Sequence, residues 1–210
     1  MRLSMSILAA GLGLCLALPA AAQDIGVLQS AETNDQGTFK FMAAPLMTFG
    51  KDGADDEFGL AARAGYGFTE RFDAEGKLAL FDNSTLVGLD GELWLLQGDT
   101  KDTGVDFSLT AGIHWLFGKD ERFDTMGIDL TPQLSGHLSP NLELCGALDA
   151  SFEKIKDVPA GGDDSYTTVH LVPGLEYRLS DTVDLIGEVG IGLNDDSFTY
   201  AGAGIAFYIR

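Results

Sequence analysis

The chain has 210 residues, 45% of them hydrophobic, with 32 acidic against 13 basic side chains and a formal net charge of −19. An acidic excess of that size excludes nucleic acid as a partner, because a binder has to neutralise phosphates with Lys and Arg. The apolar content excludes a disordered chain, and 27 glycines without a three-residue period exclude a collagen-like one.

At the N-terminus, Arg2 precedes an apolar run over residues 7–18 and then Ala20-Ala21-Ala22, the layout of a cleavable secretory signal. About a dozen apolar residues are too few to cross a bilayer as a helix, which takes roughly 20. Residues 1–22 are therefore expected to leave, with Cys15 among them. Leu14 is not the small residue that lipid attachment at Cys15 would need. Cys145 then stands alone, so no intramolecular disulfide is available. Residues 23–37 are expected to form an N-terminal periplasmic segment, followed by one domain over 38–210.

From residue 38 onward the dominant signal is alternation with period two, the mark of strands with two unlike faces. It predicts strands at 38–49, 57–68, 72–81, 85–96, 104–117, 123–138, 142–153, 165–179, 183–193 and 197–209. In the second, Phe58, Leu60, Ala62, Ala64, Tyr66 and Phe68 share a face opposite Glu57, Arg63 and several glycines. In the fifth, Val105, Phe107, Leu109, Ile113, Trp115 and Phe117 oppose Asp106, Ser108, Thr110 and His114. An internal repeat offset by 41 residues relates the stretch around Leu138-Ser139-Pro140-Asn141-Leu142 to that around Leu179-Ser180-Asp181-Thr182-Val183, and Phe68-Thr69-Glu70-Arg71-Phe72 is a fainter copy. Each reads as a hairpin with a three-residue turn, which puts Phe68 with Phe72, Leu138 with Leu142 and Leu179 with Val183 on one face. Such turns gather at the end shared by both termini. Charged loops, 51–56, 118–122 and 154–164, occupy the other end. Pro45, Pro132 and Pro173 each remove a ladder donor and are expected to mark bulges.

Two features point the apolar face outward. The polar face mixes charges of both signs with glycine, as a crowded lumen would. Aromatics gather toward strand ends, at Phe49, Phe58, Phe68, Phe72, Phe81, Phe107, Trp115, Phe117, Phe123, Phe152, Tyr166 and Tyr177, as in interfacial girdles. The expectation is an all-β, closed antiparallel up-and-down transmembrane barrel of about ten strands, with eight or twelve open. The alternative is a soluble periplasmic barrel whose apolar face encloses a hydrophobic ligand.

With its signal, amphipathic strands, tight Ser/Asp/Pro turns and glycine-aromatic last strand from Tyr200 to Arg210, the chain resembles small bacterial outer-membrane β-barrel proteins over residues 38–210. The last strand is similar to the terminal insertion signal of such barrels, but ends in Arg210 where an aromatic residue is usual. The resemblance implies outer-membrane lipid and lipopolysaccharide as surroundings, Sec export, and periplasmic chaperones and the barrel assembly machinery as partners.

The lumen is where chemistry is expected. Its lining candidates are Arg63, Lys77, Asp90, Glu92, Asp106, Asp129, Glu176, Arg178 and Glu188, joined by Asp73, Glu75, Asp149, Glu153 and Asp184. This acid-rich lining predicts at most a narrow, cation-preferring path. Ser135 and His137, two apart near Glu143, read as part of a lumen hydrogen-bond network, since nothing supplies an oxyanion donor for an outer-membrane enzyme. Acidic clusters at Asp52, Asp55 and Asp56, at Asp120 and Glu121, at Asp163 and Asp164, and at Asp195 and Asp196 match no calcium-loop spacing and read as solvated loops. No cofactor is expected.

Overall fold

The computed structural model describes residues 26–51, 54–98, 104–119, 124–156 and 164–210. The expected signal at 1–22 lies outside them, as do Asp52, Asp120, Glu121, Phe123 and Asp163. Ten strands follow one another: β1 (Phe39–Phe49), β2 (Glu57–Thr69), β3 (Phe72–Phe81), β4 (Ser84–Leu96), β5 (Val105–Gly118), β6 (Thr125–Ser139), β7 (Leu142–Ile155), β8 (Ser165–Ser180), β9 (Val183–Gly192) and β10 (Thr199–Ile209). Every neighbouring pair is antiparallel, and β10 closes on β1 from Phe39↔Ile209 to Phe49↔Thr199. Closure leaves no edge strand, so backbone donors and acceptors are satisfied within the sheet.

The two faces divide as the alternation requires. Phe58, Leu60, Phe68, Leu89, Ile113, Ile128, Leu134, Phe152 and Leu175 stand exposed on the outside, while Asp73, Glu92, Asp106, Ser108, Thr110, Asp129, Gln133 and Asp149 are buried inside. A soluble carrier would have the reverse. Two aromatics depart from the expected outer girdle: Phe81 and the part-buried Tyr166 point inward. Phe81 shares the parity of Lys77 and Ala79 on β3 and lies over Gly59, its neighbour across the sheet, where a Cβ would overlap the ring.

The repeat turns are tighter than expected. Thr69 pairs with Phe72, Ser139 with Leu142 and Ser180 with Val183 around two-residue turns, and each carries a bulge one step back, at Phe68, Leu138 and Leu179. The bulge supplies the extra residue that keeps Phe68 and Phe72 on one face. The prolines, by contrast, are not bulges. At Pro132 the β6–β7 pairing skips from Leu130↔Ala150 to Gln133↔Ala147 in unchanged register, and at Pro173 the β8–β9 pairing does the same from Leu171↔Ile191 to Gly174↔Glu188. Pro45 interrupts β1–β10 in the same way. A missing N–H deletes one rung without shifting the ladder.

The expected periplasmic segment is, over residues 26–34, inside the barrel. It enters at the turn end, where Gly67 of β2 bridges Gln36 and offers no Cβ to collide with the Asn34 and Asp35 carbonyls, and it is buried from Val27 to Ala31. Leu28, wholly buried, joins an inward apolar cluster with Met42, Leu46, Phe81, Leu86, Leu116 and Ile186. Burial of a leucine side chain stabilises by about 1.5–3 kcal/mol.

If the outer face meets lipid, Leu130→Arg, at the middle of β6, will destabilise the barrel by about 2–4 kcal/mol in vesicles. Guanidinium unfolding of wild type and variant in the same lipid measures this. A change within a few tenths of a kcal/mol would contradict a lipid-facing Leu130.

Candidate functional site

The lumen is a chain of alternating charges running around the wall. Lys40 on β1 pairs with Glu75 on β3 at 3.0 Å, Arg63 on β2 reaches Glu75 at 2.8 Å and Asp90 on β4 at 2.9 Å, and Lys77 on β3 holds Asp90 at 2.9 Å and Asp129 on β6 at 2.7 Å. His114 on β5 continues it, Nδ1 to Asp129 at 2.9 Å and Nε2 to Glu153 on β7 at 2.6 Å. All these groups are buried, so each carboxylate depends on its cation. Truncating one partner of such a pair leaves an uncompensated charge.

Of the lining residues expected from the sequence, Arg63, Lys77, Asp90 and Asp129 fall in this one network, and Glu92, Asp106 and Glu188 are buried elsewhere around the lumen. Glu176 is half-buried, and Arg178 lies exposed at the rim of the turn end. The sequence reading overlooked Lys40, because its companions on the inner face of β1, Met42, Ala44 and Leu46, are apolar and disguise which face is which.

It also overlooked what the acids do. Several lumen carboxylates also serve the inserted segment. Glu188 accepts the backbone N–H groups of Val27 at 2.9 Å and Leu28 at 2.6 Å. Asp73 accepts both the backbone N–H and the side-chain amide of Asn34, at 2.7 and 2.6 Å. Gln29 donates to Glu92 at 3.2 Å, and Ser135 Oγ accepts the Ala31 N–H at 3.2 Å. Arg63 turns one guanidinium nitrogen to the Gly26 and Val27 carbonyls at 3.1 and 2.5 Å. An extended segment has no internal partners for its backbone, and the wall supplies them. Gly26 has a positive φ of 76°, and a Cβ there would collide with the Glu188 carboxylate.

The inserted segment occupies the lumen. The cavities left beside it hold about 10 Å³ and 20 Å³ and are lined jointly by Val27, Gln29 and wall residues such as Gln133, Asp149 and Glu188. Each has room for roughly one water. A larger concavity, about 720 Å³, is on the outer face instead, among Phe107, Leu134, Leu144, Leu148 and Leu171, where Gly136 and Gly146 carry no side chain.

At the turn end, Glu32, Asp106, His137 and Glu143 each bring one donor atom within 4.8 Å of the others. Burial, with Asp106 facing it, pushes the Glu32 carboxyl above its ordinary range, against the opposing pull of His137 and Arg178. Ser135 is engaged with Ala31 and with Glu143, while His137 stands 3.9 Å from Glu32, so of the expected network the Ser135–Glu143 link is the part that forms. Among the exposed acidic clusters, Asp56 accepts the Gly50 N–H and Asp195 lends its backbone carbonyl to Lys51, which are ordinary loop contacts.

No protein-family model matches the sequence, and no curated protein matches it. Solved structures do match in shape. An outer membrane channel from Pseudomonas putida F1 aligns over 89% of this chain and 100% of its own, with a TM-score of 0.57 at 10% identity. The Yersinia pestis attachment invasion locus protein Ail aligns over 83% of this chain and 99% of its own, at 13% identity and a TM-score of 0.41. The N-terminal β-barrel domain of Pseudomonas aeruginosa OprF covers 84% of this chain and 100% of its own, at 15% identity and 0.38. The fold is that of outer-membrane β-barrel proteins.

Arg63 is the group that joins wall to plug. Arg63→Met, which strips the fork from Glu75, Asp90 and two plug carbonyls, will cost about 3–5 kcal/mol of barrel stability, read from the guanidinium midpoint in vesicles. Arg63→Lys keeps the charge but not the fork and will fall between the two.

Proposed function

We propose that this chain is an integral barrel of the bacterial outer membrane that acts as a narrow pore closed at rest by its own residues 26–34. The observation that carries the reading is the insertion of that segment, held by Arg63, Asp73, Glu92, Ser135 and Glu188 inside a wall whose apolar side chains face outward. The Pseudomonas putida structure of the same architecture is a channel. The plug is held by hydrogen bonds and by the apolar side chains of Val27 and Leu28, and its covalent tether is the backbone that runs on into β1. It can therefore leave as a unit, at a cost set by those contacts.

The groups that the plug would vacate decide what passes. Withdrawal frees Asp73, Glu92 and Glu188 along the lumen, against the single guanidinium of Arg63. An opened path lined in that way favours cations over anions. The role in this reading is non-enzymatic, with Sec export and insertion by the barrel assembly machinery as the resemblance to outer-membrane barrels implies.

One feature favours a purely structural role as the second reading. Met42, Leu46, Phe81, Leu86 and Leu116 belong to the wall and would remain as an apolar constriction after the plug has left.

Planar-bilayer recording separates the two. The full chain is expected to be silent, and a deletion of residues 26–35 to conduct with a reversal potential that favours K⁺ over Cl⁻. A silent deletion variant, folded by heat-modifiable gel mobility, would support the structural role. Equal currents with and without the segment would show that it closes nothing.

A further inference from the structure

We infer that Glu32, Asp106, His137 and Glu143 form a divalent transition-metal site that ties the inserted segment to the barrel wall at the turn end of the lumen. Three of the four come from adjacent strands. Asp106 is the second residue of β5, His137 lies near the end of β6 and Glu143 is the second residue of β7, with His137 and Glu143 paired directly across the sheet and Asp106 paired with Ser135. Their inward parity sets them side by side. Glu32 comes from the plug, where the backbone is fixed on both sides by Ala31 on Ser135 and Asn34 on Asp73.

Convergence of carboxylates is common on protein surfaces, but this cluster is not a solvated one. Asp106 and Glu143 are each only 5% exposed. Glu143 Oε1, buried in the cluster, has no hydrogen-bond partner, although Ser135 serves the same carboxylate. A buried acceptor left unmade costs about 1–3 kcal/mol, and more when charged. His137 Nδ1 stands 3.9 Å from Glu32 Oε1, beyond hydrogen-bond length, so the imidazole is not bonded to that carboxylate. Asp35 and Arg178 are the other charges that act on Glu32, one of each sign. A dication bound among the four would satisfy the orphan oxygen and the crowded carboxylates together.

The donor set selects the ion. One imidazole nitrogen with carboxylate oxygens suits Zn²⁺ and its first-row neighbours, whereas Ca²⁺ and Mg²⁺ take all-oxygen shells. Four donors around Zn²⁺ stand roughly 3.4 Å apart, so the present spread of up to 4.8 Å has to contract by up to about 1.4 Å. Glu32 and His137, with side chains 32% and 14% exposed, have the freedom to move. Asp106 is already oriented from behind, its Oδ1 accepting the Trp94 indole N–H at 3.1 Å and the Gly98 N–H at 2.8 Å, the kind of outer support that metal ligands receive. Because Glu32 is the only ligand on the plug, metal binding favours the inserted state by mass action. This consequence rests on the closed-pore reading above.

The test is calorimetric titration of ZnCl₂ into the untagged, EDTA-treated full chain in detergent, with hydrogen exchange of Ala31–Asn34 followed in parallel. The expected result is one saturable equivalent, slower exchange at those amides with Zn²⁺, and affinity lower on the order of 10–100-fold in His137→Ala, Glu143→Gln and Glu32→Gln. Glu32→Gln leaves the wall untouched, so it reports even if a wall variant fails to fold. Absence of saturable binding by the full chain, or binding indifferent to Glu32→Gln, overturns the inference. A deletion of 26–35 that conducts while the full chain binds no Zn²⁺ removes this site and leaves the closed pore standing. Zn²⁺ binding with a silent deletion variant does the reverse.

Discussion

Closure of β10 onto β1 is the constraint on which the rest of the structure depends. Once the last strand pairs with the first, every strand has two partners, and its side chains divide into an outside that meets the surroundings and an inside that meets only other side chains. Apolar groups such as Leu60, Ile128 and Leu175 then have no interior to enter and stand outward, a stable arrangement where the surroundings are hydrocarbon. The polar face is committed to the lumen by the same step. Charges that would be solvated on an open sheet are instead buried against one another.

That confinement explains the ion-pair chain. A carboxylate removed from water is tolerated only with a counterion or several donors, and the lumen has fewer cations than anions. Lys40, Arg63, Lys77 and His114 are therefore shared, each between two carboxylates except Lys40. Asp73, Glu92 and Glu188 take backbone and amide N–H groups from the inserted segment as well. The excess of acid over base is thus matched by a strand of donors from the chain's own N-terminal region. Plug and wall are electrically one object, with Arg63 touching both.

The same logic shapes how the segment is held. Among the described residues its ladder contact is the bridge between Gln36 and Gly67, and its apolar anchors are Val27 and Leu28. The wall does not need it to stay closed as a sheet. On the proposed reading, a polypeptide seated in this way couples the state of the lumen to whatever competes for the side chains that hold it.

Strand order, strand limits and the orientation of the two faces were legible in the sequence, because each depends on a period-two pattern or on turn chemistry within a few residues. The ten strands begin and end within two residues of where alternation puts them. Where a local signal was ambiguous, the reading slipped: the three-residue turns at Phe68, Leu138 and Leu179 are two-residue turns with a bulge, which leave the same faces outward, and Pro45, Pro132 and Pro173 only interrupt one ladder. The placement of residues 26–34 was not legible, since nothing periodic in that stretch speaks of its partners, which lie from 36 to 161 residues away in Arg63, Asp73, Ser135 and Glu188. Nor could spacing along the chain unite Glu32 with Asp106, His137 and Glu143. Alternation fixes which way a side chain points, but only the closed barrel, with a segment threaded into it, decides what it points at.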